Sequence, residues 1–584
     1  MSVVHLNDFH ARFEPVSPEF TSCDPSLVNT CVPYPCRRDA KNCVGGIARV
    51  AAAMERLRRQ HPDSLVLNAG DNFQGSLYYY VHRHAIMSFF LNRLRFDAMA
   101  LGNHEFDQGV ENVKAFLRRL SFPALAANMN ASADPQLAEL VKPSIVVTRG
   151  GRRIGVIGYM LNNTHDISNT GGTRWSGELE AVDREAARLK DSGVHIIVCV
   201  SHDGLAGDLH VARHSKHVDL IVGGHSHTLL YSGTPPTDDR VFGDYPVVAV
   251  QQPERGRQVL VVQAMAASKY LGHILVTFDA DGEVVGWEGR PLLLDQSVPQ
   301  DARTQMMLRA WRPAVALRGQ RLVGHLGERL SQDDFECLTG ECNIGNAVAD
   351  AFVDHWRKQP GAPPVTVGAV VGWSMVANLE KGGKNGLEYR KEKEKEKKKA
   401  TLSYTGGPER TLPRPLNKDP PCLPADVTFE DVFNVLPYEY TVDLFRVRGA
   451  DLLGVLESSA AGEGLFQWSG LTVVLDLSRP PGQRVLGARV RTDLAQSLDQ
   501  YPALDPAAEY VVTTQSVALG GGYSNPKLKS THRDRIRGPP DHEVLAAFLG
   551  EHWDLAQGME GRVTMVGGRA HPRRYSGLSN NIPD

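Results

Sequence analysis

Five times in its N-terminal half, this sequence runs a short β-rich segment directly into a cluster of Asp, Asn, His and Gly. Val3-Val-His-Leu6 delivers Asn7-Asp-Phe-His10, Leu65-Val-Leu67 delivers Asn68-Ala-Gly-Asp71-Asn72, and a third element delivers Gly102-Asn-His-Glu-Phe-Asp107. Ile196-Ile-Val-Cys-Val200 ends in Ser201-His-Asp-Gly204, and Val218-Asp-Leu-Ile-Val222 ends in Gly223-Gly-His-Ser-His227. Helical patterns over 46–60, 84–94, 109–120 and 178–191 fall among these runs. Alternating strands and helices predict an open α/β layer, which carries its sites where the strands end. Later runs, Val259-Leu-Val-Val262 and His273-Ile-Leu-Val-Thr-Phe278, suggest an antiparallel or mixed second half.

A single Asp or Asn after a strand is ordinarily a turn residue or a helix cap. Five such endings together make a mixed oxygen and nitrogen ligand set, with glycines that allow tight turns beside an ion. A carboxylate can bridge two cations while offsetting part of their repulsion, and Asp71, at the centre of the set, suits that role. Asp8 and His10 would complete one ion, with His227 as a further ligand; Asn103, His202 and His225 would complete the other. Imidazole mixed with carboxylate suits zinc, manganese or a similar transition ion better than calcium or magnesium. Two such ions acidify a shared water and draw charge from phosphoryl oxygens, which points to hydrolysis of a phosphate ester. His104, beside a ligand but not assigned as one, is placed to stabilise the transferred group or its leaving oxygen, with Asp107 to orient and charge-support its imidazole.

The chain has 584 residues, enough for two or three cores, and 42% hydrophobic with 22% charged residues is ordinary for globular domains. A formal charge of -3 gives no general attraction to nucleic acid or an acidic membrane, so an anionic substrate must be held by local charge or metal. No apolar run is long enough to span a bilayer, and the C-terminus has no hydrophobic tail for lipid attachment. Met1-Ser-Val-Val-His5 already reads as strand, so a secretory signal is not expected within this sequence.

Cys23, Cys31, Cys36 and Cys43 crowd a loop that cannot pack a core and would gain from crosslinking. Their x7, x4, x6 spacing supports two disulfides in any of three pairings, with bound zinc as the alternative, although Cys-x2-Cys knuckles are missing. Cys337 and Cys342 form another close pair, and Cys199 reads as a buried inert thiol. Disulfides, with sequons at Asn130 and Asn162, imply a secreted or extracellular glycoprotein.

Residues 296–318 read as a helix joining two domains, 1–295 and 319–566, followed by a tail over 567–584. The second domain is expected to hold helices near 343–357 and 449–460 and strands at 471–475, 485–490 and 510–514. Residues 380–425 break that pattern. Arg390–Lys399 holds seven positive and three negative residues, and a proline-rich stretch follows, which predicts a disordered surface excursion; without aromatic interleaving it does not read as a nucleic-acid tail.

The five endings, taken with their flanks, closely resemble the 5'-nucleotidase family, which includes ecto-5'-nucleotidases, bacterial periplasmic nucleotide hydrolases and salivary apyrases. The resemblance extends from residue 3 to about 566. It implies an α/β chain: an N-terminal calcineurin-like metallophosphoesterase domain built as a four-layer α/β/β/α sandwich, a linker helix, and an α/β C-terminal 5'-nucleotidase domain that binds the nucleoside. It makes Asp8, His10, Asp71, Asn103, His202 and His225 ligands of two divalent ions, expected to be Zn2+ with Mn2+ the alternative, and His104 with Asp107 the catalytic pair. His227 falls where relatives often carry Asn or Gln. Glu341-Cys-Asn-Ile-Gly-Asn-Ala347, Phe433-Asn-Val-Leu-Pro-Tyr438 and Gly470–Ser478 are similar to C-terminal segments of the family. Tyr438 takes the first aromatic position, available to stack on a base, and Tyr523 is a substitute for the second.

Other parts of that pocket depart from the family pattern. Its Asn-Gly-Gly-Gly-Ile-Arg run is represented by Val371-Gly-Trp-Ser-Met375, another arginine by Leu338, and the second aromatic loop by Gly520-Gly-Gly-Tyr-Ser-Asn525. The expected activity is hydrolysis of nucleoside 5'-monophosphates to nucleoside and phosphate, with weakened recognition of the nucleotide. Apyrase-type cleavage of ATP and ADP, and a secreted binding protein with weakened turnover, are the alternatives. The expected partner is a small-molecule nucleotide and not nucleic acid, and the sequence is compatible with a homodimer.

Overall fold

The computed structural model describes residues 1–17, 23, 43–251, 257–331, 336–377, 379, 425–460, 465–493, 495–520 and 525–566. The charged and proline-rich stretch over 380–424, the tail over 567–584, and Cys31, Cys36 and Tyr523 lie outside these residues.

The N-terminal half packs two mixed sheets face to face. In the first, Ser2–Leu6, Leu65–Asn68, Ala98–Ala100, Ala124–Leu125 and Val141–Lys142 run parallel, with Tyr270–Phe278 and Val284–Gly289 added antiparallel. The second has a parallel centre of Arg152–Met160, Ile196–His202, Leu220–Val222 and Arg257–Val262, flanked antiparallel by Ser144–Arg149 and Val247–Gln251.

Side-chain alternation along the strands builds the layers, because successive residues face opposite sides of a sheet. Ile196, Val198 and Val200 join Val3, Leu65 and Leu67 in the core between the sheets. Their neighbours Ile197 and Cys199 face outward against Val182, Ala186 and Leu189 of the helix Glu178–Asp191. On the far side, Val4 and Val66 face Val50, Met54 and Leu57 of the helix Ile47–Gln60. The result is helix, sheet, sheet, helix, with the parallel strands at the centre of each sheet buried as near-continuous apolar runs.

The helix Ala302–Gly319 follows, and the apolar core outside the first sheet continues through its Leu308 and Val315 into Phe352, Phe429, Phe433 and Leu545. The C-terminal half contains a five-stranded sheet, in the order Phe466–Ser469, Val367–Val371, Glu509–Gln515, Val442–Arg448 and Arg533–Ile536, and a three-stranded sheet centred on Leu471–Asp476. Helices Asn343–Arg357 and Gly449–Ala460 lie where the sequence periodicity places them. Cys23 bonds Cys43 and Cys337 bonds Cys342, while Cys199 is a buried free thiol. Among the described residues no helix is long and apolar enough to cross a membrane.

Candidate active site

All five polar clusters fall at the carboxyl ends of parallel strands, three from the first sheet and two from the second. Because the sheets pack face to face, these ends converge on one wall. Two ligand groups form there: Asp8, His10 and His227, and Asp71, His202 and His225, the candidate ligand atoms of each lying within 4.8 Å of one another.

The chain turns sharply to present them. Asp8, His10, Asp71, His225 and His227 all adopt left-handed backbone conformations, with φ between 46° and 71°. Each costs an L-residue about 1–2 kcal/mol, and strain of this kind collects where a site requires it. Gly102 permits a close approach, since a Cβ there would lie 2.1 Å from Asp71 Oδ1.

Hydrogen bonds fix the ring orientations. His202 Nδ1 lies 2.7 Å from the Ala69 carbonyl and His10 Nδ1 3.1 Å from that of Phe73, so each Nδ1–H donates to backbone and each Nε2 is presented to the site. His202 Nε2 is 2.9 Å from Asp71 Oδ2, and His10 Nε2 is 3.0 Å from His227 Nε2, whose ring also lies 3.4 Å from Asp8 Oδ1. Asn103 Oδ1, although buried, has no hydrogen-bond partner among the described residues. Buried polar atoms are ordinarily satisfied. Convergent imidazole nitrogens, two carboxylates and an orphaned amide oxygen therefore fit divalent cations.

The electrostatics agree. Burial pushes the Asp71 carboxyl up, but His202 and His104 outweigh it and hold the group well below its ordinary range. Burial lowers His10 and His225 to about 3, keeping their imidazoles neutral, the form that binds metal. His202 is lifted to about 10 against the effect of burial by Asp71 and then Asp8, the same negative field that would hold a cation at its Nε2.

His104 is on the wall but belongs to neither ligand group. It opens a single 3-10 turn, His104–Phe106, capped by Asp107. Side chains three apart eclipse in such a turn, so the His-x-x-Asp spacing becomes a contact: His104 Nδ1 to Asp107 Oδ2 is 2.6 Å. Asp107 is braced by the Ser168 hydroxyl and by Gln74 Nε2 at 3.3 Å. Burial lowers His104, but Asp107 and then Asp71 outweigh it and raise the imidazole to about 9.

Tyr438 reaches the site from the C-terminal half, with its ring stacked on His104 (centroids 5.3 Å apart, planes at 19°). Leu338 lies in the short helix Glu336–Thr339. Ser374 and Met375 are buried, and Ser374 donates to Gln515 Oε1 at 2.8 Å, so this stretch packs inside the C-terminal core.

Two bracing residues were not assigned from sequence. Glu105, fully buried, accepts backbone N–H bonds from Gly102 (2.6 Å), Asn72 (2.8 Å) and Asp71 (3.1 Å), tying two ligand loops together. Asn7 donates to Asp8 Oδ2 at 2.7 Å and accepts from Ala264 N–H at 3.0 Å, fixing the first loop to the strand end after Val262. The only signal for either was its place inside a ligand motif.

A ligand wall made where two packed sheets end together, with an aspartate-supported histidine beside it, is a metallophosphoesterase arrangement. Residues 1–229 match the family described as calcineurin-like phosphoesterase, and residues 323–530 match 5'-nucleotidase, C-terminal domain. The chain is 30% identical to an apyrase of Tabanus yao, over 97% of this chain and 94% of that protein, and 31% identical to the 5'-nucleotidase of Bos taurus, over 97% and 91%. The crystal structure of a 5'-nucleotidase precursor from Thermus thermophilus superposes with a TM-score of 0.76 at 30% identity, covering 97% of this chain and 99% of that one. The chain belongs to the 5'-nucleotidase family and is a phosphoric monoester hydrolase.

Proposed function

We propose that this chain hydrolyses nucleoside 5'-monophosphates to nucleoside and phosphate, and that two divalent ions serve the reaction. The observation that carries this reading is the adjacency of the two ligand groups, with the His104–Asp107 pair beside them. Asp8, His10 and His227 would hold one ion, His202, His225 and Asn103 the other, and Asp71 would bridge them. Imidazole with carboxylate favours zinc, with manganese the alternative. When bound, such a pair acidifies a water and polarises the phosphoryl group.

The chain's own residues supply the rest. His104 Nε2, 4.0 Å from Asp71 Oδ2, points toward the ligand wall and donates to a phosphoryl or leaving oxygen. Asp107 holds the Nδ1 proton and sets the direction of that donation. Glu105 and Asn7 keep the ligand loops from relaxing when charge shifts.

Recognition of the nucleotide rests on the C-terminal half and is weak, because neither position 338 nor the stretch 371–375 carries an arginine. Charge-assisted phosphate contacts are each worth about 1.5–3 kcal/mol. AMP should therefore bind with a high KM, and p-nitrophenyl phosphate should compete well. The domain limits 1–295, 296–318 and 319–566 are proposed with this division of labour.

An apyrase reading is favoured by the Tabanus yao relative. Phosphate release from AMP, ADP and ATP, each with and without chelator, separates the two. AMP should be the preferred nucleotide and chelation should stop release; ATP and ADP converted to AMP that then persists would establish the apyrase reading. The two disulfides favour an extracellular location. Free thiols at Cys23 and Cys43 in protein isolated without reductant would contradict it.

A further inference from the structure

Two residues far apart in sequence are strained toward each other behind the candidate catalytic histidine. Arg83 lies inside the helix Leu77–Leu94 yet has φ 52° and ψ -142°, so the helix breaks there. Such breaks are ordinarily caused by proline or glycine, and this helix contains neither. Glu439, from the C-terminal half, is left-handed at φ 57°. Between them runs an ion pair, Arg83 Nη1 to Glu439 Oε1, at 2.6 Å, with the glutamate side chain only 4% exposed. The guanidinium also lies over the rings of Tyr79 and Tyr80, at 5.5 and 5.1 Å.

The pair holds the residue next to it. Pro437 accepts a backbone hydrogen bond from Gly75 at 3.2 Å, so Tyr438 is fixed from both sides, by that bond and by Glu439. Its ring lies nearly parallel to His104 at 5.3 Å, edge-on to His10 at 5.9 Å, and backed by Tyr440 at 5.7 Å. The bond that His104 Nδ1–H donates to Asp107 Oδ2 orients the ring to within the slack of one hydrogen bond, and histidine χ2 is broad enough to use that slack. A ring stacked on the imidazole face narrows the remaining range and so tightens where Nε2 points.

We propose that Arg83 and Glu439 are positioning residues for the chemical step, acting through Tyr438, whose ring sets the plane of His104. The strain at both residues is thereby accounted for: the break in the helix brings the guanidinium to Glu439, and the left-handed turn at Glu439 sets Tyr438 onto the histidine. The proposal rests on His104 acting in the reaction.

The test measures kcat and KM for AMP and p-nitrophenyl phosphate, with bound metal, in full-length wild type, Glu439→Gln, Arg83→Met, Tyr438→Phe, Tyr438→Leu and His104→Ala. Glu439→Gln, Arg83→Met and Tyr438→Leu should each lower kcat roughly 10- to 100-fold on both substrates, with metal content and the KM for p-nitrophenyl phosphate retained. Tyr438→Phe, which keeps the ring, should keep kcat. Should Arg83→Met not fold, Glu439→Gln, which removes only the charge, carries the test. Wild-type kcat in the ion-pair variants would overturn the proposal. So would a Tyr438→Leu enzyme whose only change is a raised KM for AMP, since the ring would then serve a base and not His104. Wild-type kcat in His104→Ala is a separate failure, removing the reading of His104 on which the proposal stands.

Discussion

Asp71→Ala is expected to abolish phosphate release and to lose bound metal. Asp71 is 1% exposed, lies 2.9 Å from His202 Nε2 through Oδ2, and accepts the His104 backbone N–H at 2.9 Å through Oδ1. Its removal deletes the carboxylate common to both proposed ion sites, leaving buried imidazoles without the negative charge that would balance a cation. The loss should exceed that of any other single ligand, because the loop carrying His104 is released as well. Asp71→Asn separates the effects: it keeps an acceptor for His104 N–H but not the charge, so it too should be inactive and metal-poor. Elemental analysis beside a phosphate-release assay checks both variants. Two tightly bound ions in Asp71→Ala would sink the bridging role.

His104→Ala should lower kcat by roughly 10²- to 10⁴-fold, the range typical for loss of a positioned acid or base. Its metal content should stay near wild type, because His104 is in neither ligand group. The KM for p-nitrophenyl phosphate should change little if the interaction forms mainly in the transition state. Loss of metal equal to that in Asp71→Ala would make His104 a ligand; an unchanged kcat would remove it from the chemistry.

The ligand wall was legible because five strand ends repeat the same chemistry, and the fold needs only to align parallel strands to bring them together. The layers were legible for a similar reason: Ile196 to Val200 alternate between two cores by the period of a strand alone. His104 and Asp107 were legible through their three-residue spacing, which a 3-10 turn converts into a contact. Glu105 was not, because a carboxylate that braces backbone N–H groups looks in sequence like any other acid near a turn. The break at Arg83 was invisible because the partner its side chain meets there is Glu439, more than 350 positions away and in the other half of the chain. For the same reason sequence predicted the helix over 84–94, whereas it begins at Leu77 and passes through the break. Tyr438 was found by its motif, but where its ring points depends on how the halves pack, which no local pattern encodes.

In the proposed reaction, paired ions held by Asp8, His10, His227, Asp71, His202, His225 and Asn103 run the hydrolysis. The most direct measurement is to strip the protein with chelator and return zinc stepwise, following bound metal and phosphate release from AMP in the same samples. Activity should be absent in the stripped protein and should reach its plateau at about two equivalents per chain, as a two-metal site requires. Phosphate release at the wild-type rate from protein with no bound metal would contradict a metal-dependent reaction.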